Sequence, residues 1–223
     1  MDIHLSNLLR AVVDEYVATG EPVGSQSLVE RYRLEVSPAT VRNWFAELDE
    51  EGYLSQPHTS GGRLPTEKGF LTYVELFVTP KPARKREREQ MEHAVDGSGE
   101  QRFRQLAKTI AALSGLTVVV GFGDTQTFYT GLSQLCVQPE FRNWQRVASL
   151  MEVLDRLDET LLDLRRRSYD EPQILIGRAC PFGAACGIVV GSFDDGMIGI
   201  LGPLRMDYQH AFSLMGVVHD IFS

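Results

Sequence analysis

Two breaks dictate what the first fifty residues can become. At Thr19-Gly20-Glu21-Pro22 a glycine suited to a left-handed cap is followed by a proline that forbids helix continuation. At Ser37-Pro38 a capping serine precedes a proline at the first helical position, a strong helix start. Before the first break, Leu5, Leu8, Leu9, Val12 and Tyr16 share one apolar helical face. Between the breaks a short helix from about Ser25 is expected to bury Leu28, Val29 and Tyr32. After the second, Val41, Phe45 and Leu48 stack on one face of a third helix running to Gly52, with Trp44 on its flank. At about 100° per residue the opposite face carries Ala39, Asn43, Ala46 and Glu50, with Arg42 beside them. YLSQPHTSGGRLP then reads as strand, glycine-rich turn and strand. Thr66 caps a further helix expected to bury Phe70, Tyr73, Val74 and Phe77. This order predicts a winged helix-turn-helix over residues 1–78.

The rest of the chain mixes helices and strands. Residues 79–101 read as a charged linker, because TPKPARKREREQ holds two prolines, five basic and two acidic residues, and DGSGEQ follows with turn formers. Such a run is usually a solvated tether; here it also has the charge to touch a DNA backbone. Residues 102–223 predict a second domain: a helix over 103–113, a buried strand over 116–122, and helix over 141–166. Val147, Leu150, Leu154, Leu157, Leu161 and Leu164 form an apolar seam there, which Asp158 interrupts if it caps a new helix. Strands at 173–176, 187–193 and 197–201 follow, the last two joined by the Asp194-Asp195-Gly196 turn of a hairpin. A helix over 208–222 completes an α+β chain, with Asp207 as its cap.

Composition narrows the function classes. No apolar stretch approaches the roughly 20 residues of a spanning helix, and the first residues lack the features of a secretory signal, so a cytoplasmic location is expected. Cys136, Cys180 and Cys186 are an odd set with no CxxC pair, and the five histidines keep no zinc-ligand spacing beside them. Reduced, mostly buried thiols are expected, without metal. Gly121-Phe122-Gly123-Asp124 lacks the further glycine spacing of a nucleotide loop, and no nucleophile, base and orienting group recur in recognisable order. Neither catalysis nor a cofactor is implied. The net charge of −8 argues against a nucleic-acid partner only if the charges are evenly spread. They are segregated: Glu47, Asp49, Glu50 and Glu51 cluster at one helix end, away from Arg42 and Arg63.

The third helix has suitable chemistry for a major groove, with the helix before it, from Ser25 and Gln26, bracing on the backbone. Asn43 suits a bidentate contact with adenine, Arg42 a guanine or phosphate, and Ser37 and Thr40 phosphate oxygens. Small Ala39 and Ala46 let the helix sit deep. Thr59, Ser60, Gly61, Gly62 and Arg63 read as a flexible polar wing ending in one cation.

EPVGSQSL, VSPATVRNWFAELDEEGYL and SQPHTSGGRLPTEKGF resemble the amino-terminal signature of the HrcA family, the heat-inducible transcription repressors of bacteria. YTGLSQLCVQPEF and ILGPLRMDYQHAFSLM are similar to that family's GAF-like domain. The resemblance covers residues 1–78 and, more loosely, 106–223. It implies a negative regulator of chaperone genes that binds an inverted repeat as a homodimer and is maintained by the chaperonin. Two departures stand out. Between Val120 and Tyr129 the chain passes almost directly between family segments, where the resemblance implies further strands and an inserted dimerising domain. Trp44-Phe45 stands where Asp-Met is expected. Two other readings compete: a small-molecule-responsive regulator sensing through the GAF-like domain, and an adaptor that has lost DNA binding.

Overall fold

The computed structural model describes residues 1–57, 61–97, 99–122, 126–166, 171–193 and 196–222. They divide into two compact units, Met1–Val78 and Thr79–Ser223.

In the first unit local signals set the helices. Helix α1 (Ile3–Thr19) starts on Asp2 and ends on Gly20, at φ 71°. Helix α2 (Ser25–Tyr32) ends on Arg33, which takes the left-handed conformation at φ 50°. Helix α3 (Pro38–Glu50) starts on Ser37. Strands β1 (Leu54–Ser55) and β2 (Leu64–Pro65) pair antiparallel, and α4 (Glu67–Phe77) starts on Thr66. Leu9, Val12, Leu28, Val41 and Leu48 are fully buried between the helices. Tyr32 departs from expectation. It is the last residue of a two-turn helix whose inward position is held by Leu28, and it is 37% exposed. Phe70 is buried as expected, whereas Tyr73, Val74 and Phe77 are half-buried. The Tyr73 hydroxyl donates to Asp14 Oδ1 at 2.7 Å, so its ring edge stays at the surface. At Gly69 the backbone meets the β1 entry so closely that a Cβ would lie 2.2 Å from the Tyr53 carbonyl oxygen.

The second unit is built on one antiparallel sheet. Helices α5 (Lys85–Ala94) and α6 (Glu100–Ser114) lead to strands β3 (Thr117–Phe122) and β4 (Gln126–Thr130). Helices α7 (Leu132–Cys136), α8 (Trp144–Leu154) and α9 (Leu157–Arg165) follow, then β5 (Gln173–Ile176), β6 (Cys186–Phe193), β7 (Gly196–Pro203) and α10 (Tyr208–Phe222). The strand order is β4-β3-β7-β6-β5, each neighbouring pair antiparallel. The three inner strands are covered on both faces, which is why they read as unbroken apolar runs rather than alternating ones. On one face α10 crosses β6, where a Cβ on Gly187 would strike the Tyr208 hydroxyl and one on Gly191 would press on Met215. The alternate residues Ile188 and Val190 turn the other way, into a core with Leu150, Leu157, Leu161 and Leu164 of α8 and α9. The leucine seam is therefore core.

Two expectations are corrected. Residues 79–101 are not a bare tether, because α5 forms there and Glu87, Met91 and Ala94, spaced four and three apart, make a narrow inward stripe. Met91 is fully buried, and the Gln209 side-chain amide clamps the Thr79 backbone, donating to its oxygen at 2.9 Å and accepting from its nitrogen at 3.2 Å. The break in the 141–166 helix falls at Asp155-Arg156, and Asp158 lies in the first turn of α9. The departure between Val120 and Tyr129 agrees with the structure: β3 and β4 are adjacent antiparallel partners from Val118↔Thr130 to Phe122↔Gln126, with no inserted domain between them. Strand β4 itself went unread, since QTFYT carries little apolar signal. Asp207 does cap α10, accepting from the His210 amide at 2.9 Å. The Gly123-Asp124 part of the glycine segment and the Asp194-Asp195 turn lie outside the described residues, although Phe193 and Gly196 pair across that turn.

Candidate nucleic-acid interface

Helix α3 presents two unlike faces. Val41, Phe45 and Leu48 are at most 1% exposed and fix it to the first unit's core. Ala39, Arg42, Asn43 and Ala46 are exposed. Neither the Arg42 nor the Asn43 side chain makes a hydrogen bond among the described residues, so both side chains are available to an external partner. Ser37 Oγ accepts from the Thr40 amide at 3.1 Å and lies 3.0 Å from Thr40 Oγ1. This cap holds the first turn rigid and leaves two hydroxyls at its mouth. Trp44 is half-buried and stacks on His4, with ring centroids 5.9 Å apart and planes at 13°. The unusual aromatic thus braces α3 on α1 rather than joining the open face.

The expected residues do not all join that face. Gln26 is exposed at the start of α2, its amide donating to Glu30 at 2.5 Å. Ser25 is only 8% exposed, which removes it from direct contact. Gly62 is buried beneath Pro22, where a Cβ would come within 2.8 Å of the proline carbonyl carbon. Its conformation answers packing, not loop flexibility. Arg63 is turned inward as well: Nε donates to Asp49 Oδ2 at 2.6 Å, and the guanidinium lies 5.8 Å from the Phe45 ring centroid. Its backbone exchanges two 2.9 Å hydrogen bonds with Val23, adding a bridge from the α1–α2 connection to β2. Sequence spacing carried no sign of this contact, which joins residues forty positions apart. Thr59 and Ser60 lie outside the described residues.

The second unit holds a different kind of feature. A cleft of about 360 Å3 runs between residues 80–83, 171–172 and α10, with Pro80, Pro82, Phe212 and Val217 in its wall. Arg88 in its wall is paired with Asp220 and also with Glu92, at 3.4 Å. Arg205 binds Glu140 at 2.5 Å and Gln138 at 2.9 Å, and so ties the β7–α10 turn to the segment after α7. Cys180 and Cys186 are buried, and burial pushes the Cys180 thiol up to about 12. Among the described residues, no helix is long and apolar enough to cross a membrane.

Fold and site together define a two-part α+β protein: a helical unit offering one capped helix face to solvent, and a body whose sheet is covered on both sides. Residues 80–212, more than half of the chain, match the family model described as the HrcA protein C terminal domain. The chain belongs to the HrcA family. A heat-inducible transcription repressor HrcA of Acidothermus cellulolyticus is 46% identical over 117 residues, which are 52% of this chain and 34% of that protein. The namesake of Beutenbergia cavernae is 55% identical over 89 residues, 40% of this chain and 25% of that protein. The matched stretches thus span about a third or less of these relatives' length. A crystal structure of a hypothetical protein aligns over 100% of this chain and 97% of its own, with a TM-score of 0.75 and 16% identity. That likeness speaks to the fold.

Proposed function

We propose that this chain is a DNA-binding repressor of heat-shock (chaperone) genes that reads an inverted-repeat operator as a homodimer. The first unit acts as a winged helix and the second as a GAF-like body in the cytoplasm, with the chaperonin as a further partner. The observation that carries the reading is the open face of α3, where Ala39, Arg42, Asn43 and Ala46 are exposed above a buried anchor. Family membership and the names of the relatives support it.

Each residue has a role in this reading. Asn43 pairs bidentately with an adenine edge, and Arg42 takes guanine or phosphate. Ser37, Thr40 and Gln26 contact the backbone, Ala39 lets the helix approach, and Thr59 and Ser60 supply the wing contact. Ser25, Gly62 and Arg63 shape the unit instead. An inverted repeat demands two-fold symmetry, hence the dimer. Footprinting the purified chain on the DNA upstream of its own genome's chaperone genes tests the reading. Protection of an inverted repeat is expected, with Asn43→Ala relaxing base choice at one position by about 1–3 kcal/mol and Arg42→Ala weakening binding. Two variants that bind like the parent would remove α3 as the reader. The cleft beside α10 favours a second reading, a ligand-responsive regulator. A metabolite that raises the melting temperature and changes DNA affinity would promote it.

A further inference from the structure

The first unit has few cations with which to hold a polyanion. Residues 1–78 carry Arg10, Arg31, Arg33, Arg42, Arg63 and Lys68 against twice as many acids. Arg10, Arg31 and Arg63 are paired with Asp14, Glu15 and Asp49 at 3.7, 2.7 and 2.6 Å. The Lys68 ammonium sits 2.6 Å from the Glu51 carbonyl oxygen and 4.1 Å from the Tyr53 ring centroid. Arg33 and Arg42 remain, both exposed and without an ion pair among the described residues. Two such cations per chain, or three with the loosely paired Arg10, give little counterion release, and the acids of the unit oppose even those.

The start of α5 has the opposite character. Lys81, Arg84, Lys85 and Arg86 are all exposed, the side chains of Arg84 and Lys85 by 85% and 91%. The acids beside those two, Glu87 and Glu89, stand 3.6 and 3.9 Å away, and most of the surface of both cations stays in solvent, where such contacts contribute little. Lys81 and Arg86 have no ion pair among the described residues. The group is also ordered. Glu87 accepts the Arg84 amide at 3.1 Å and contacts His210 at 3.1 Å, which fixes the first turn of α5 to its own unit. From Phe77 to Lys85 the chain spans at most about 28 Å, less than the roughly 34 Å of one duplex turn. The basic group is therefore tethered within one duplex turn of the end of α4.

We propose that Lys81, Arg84, Lys85 and Arg86 form a second DNA contact that grips phosphates beside the site read by α3 and carries no sequence preference. The proposal rests on the α3 reading, since it supplies charge to the same duplex. Full-length Lys81→Ala/Lys85→Ala/Arg86→Ala is compared with the parent on the footprinted duplex and on a scrambled duplex of equal length, between about 50 and 200 mM salt. The slope of log affinity against log salt is expected to fall by about 2.7 per chain, at about 0.9 per lost phosphate contact. It should fall equally on both duplexes, with the ratio of their affinities unchanged. The Lys81→Arg/Lys85→Arg/Arg86→Lys variant should keep the parental slope. An unchanged slope in the alanine variant, with the parent still preferring the footprinted duplex, overturns this proposal and leaves the α3 reading standing. A parent with no salt-dependent duplex binding overturns both. Loss of binding to phosphatidylglycerol vesicles without any change on DNA assigns the patch to a lipid surface and overturns it too.

Discussion

Replacing Arg63 by alanine separates a structural cation from a DNA-touching one. In the folded unit its guanidinium donates to Asp49 at 2.6 Å, with only 15% and 26% of the two side chains exposed. A charge-assisted hydrogen bond of this kind contributes about 1.5–3 kcal/mol, and the contact with the Phe45 ring about 0.5–1 kcal/mol. Partial solvation lowers the sum, whereas Asp49 Oδ1, buried with no partner of its own, raises the cost of stranding the carboxylate. The net expectation is a loss of about 2 kcal/mol, which for a unit of this size lowers its melting transition by about 8–16 °C. Calorimetry and near-ultraviolet circular dichroism measure that loss, and DNA affinity is read well below the new transition. Asp49→Asn completes a double-mutant cycle, in which the two changes should cost less together than their sum. An unchanged transition accompanied by a tenfold or greater loss of DNA affinity would show that Arg63 reaches the duplex, and the structural assignment would fall.

Gly69→Ala should destabilise the first unit by about 3 kcal/mol, because its Cβ has no room beside the Tyr53 oxygen. Gly24→Ala, where nothing lies within 4 Å, should cost under about 1 kcal/mol, with urea titration measuring both variants. In the second unit burial holds Cys180 up to about 12 and Cys186 up as well, so both stay neutral when folded at a pH that ionises them in the unfolded chain. Raised folded values mean stability present below the ordinary thiol range and lost as pH rises through it: about 2 kcal/mol between about pH 9 and 10 for the pair. Urea titrations at the two pH values should show this loss, and Cys180→Ala/Cys186→Ala should flatten it.

What the sequence disclosed, it disclosed through local chemistry. The Ser37 cap, the Gly20 stop and the Thr66 start each depend on residues within a few positions, and each stands where the spacing put it. The inner strands were readable as continuous apolar runs for a related reason, since helices cover both of their faces. Helix α5 escaped because its inward stripe is Glu87, Met91 and Ala94, in which a single large apolar residue hides among charges. What makes Glu87 tolerable there is His210, more than a hundred residues away. The packing of Gly62 and Arg63 was hidden for the same reason: a glycine-rich loop reads as flexible until Pro22 and Asp49 are placed against it. Side chains in such loops are assigned by distant partners, and local propensity carries no information about them.

The charge pattern of α3 restricts how it can meet DNA, whatever the whole-chain sum. Its first turn contains no acid, while Glu47, Asp49 and Glu50 lie toward its end and Glu51 caps it. At 100° per residue, Glu47 and Glu50 fall on nearly the same side as Asn43, one and two turns further along. A helix laid flat in a groove would press both carboxylates against phosphates. Entering by its amino-terminal end, it places Asn43 on the base edges and leaves Glu50 about 10 Å behind, near the Debye length at 0.1 M salt. The partial positive charge of the helix start then faces the phosphates as well. Asp49 adds little repulsion in either pose, because Arg63 neutralises it. The ion pair that takes a cation from the glycine-rich loop also removes an acid from α3, and so, in the proposed DNA-binding reading, the tip-first pose is the one in which sequence, cap and charge agree.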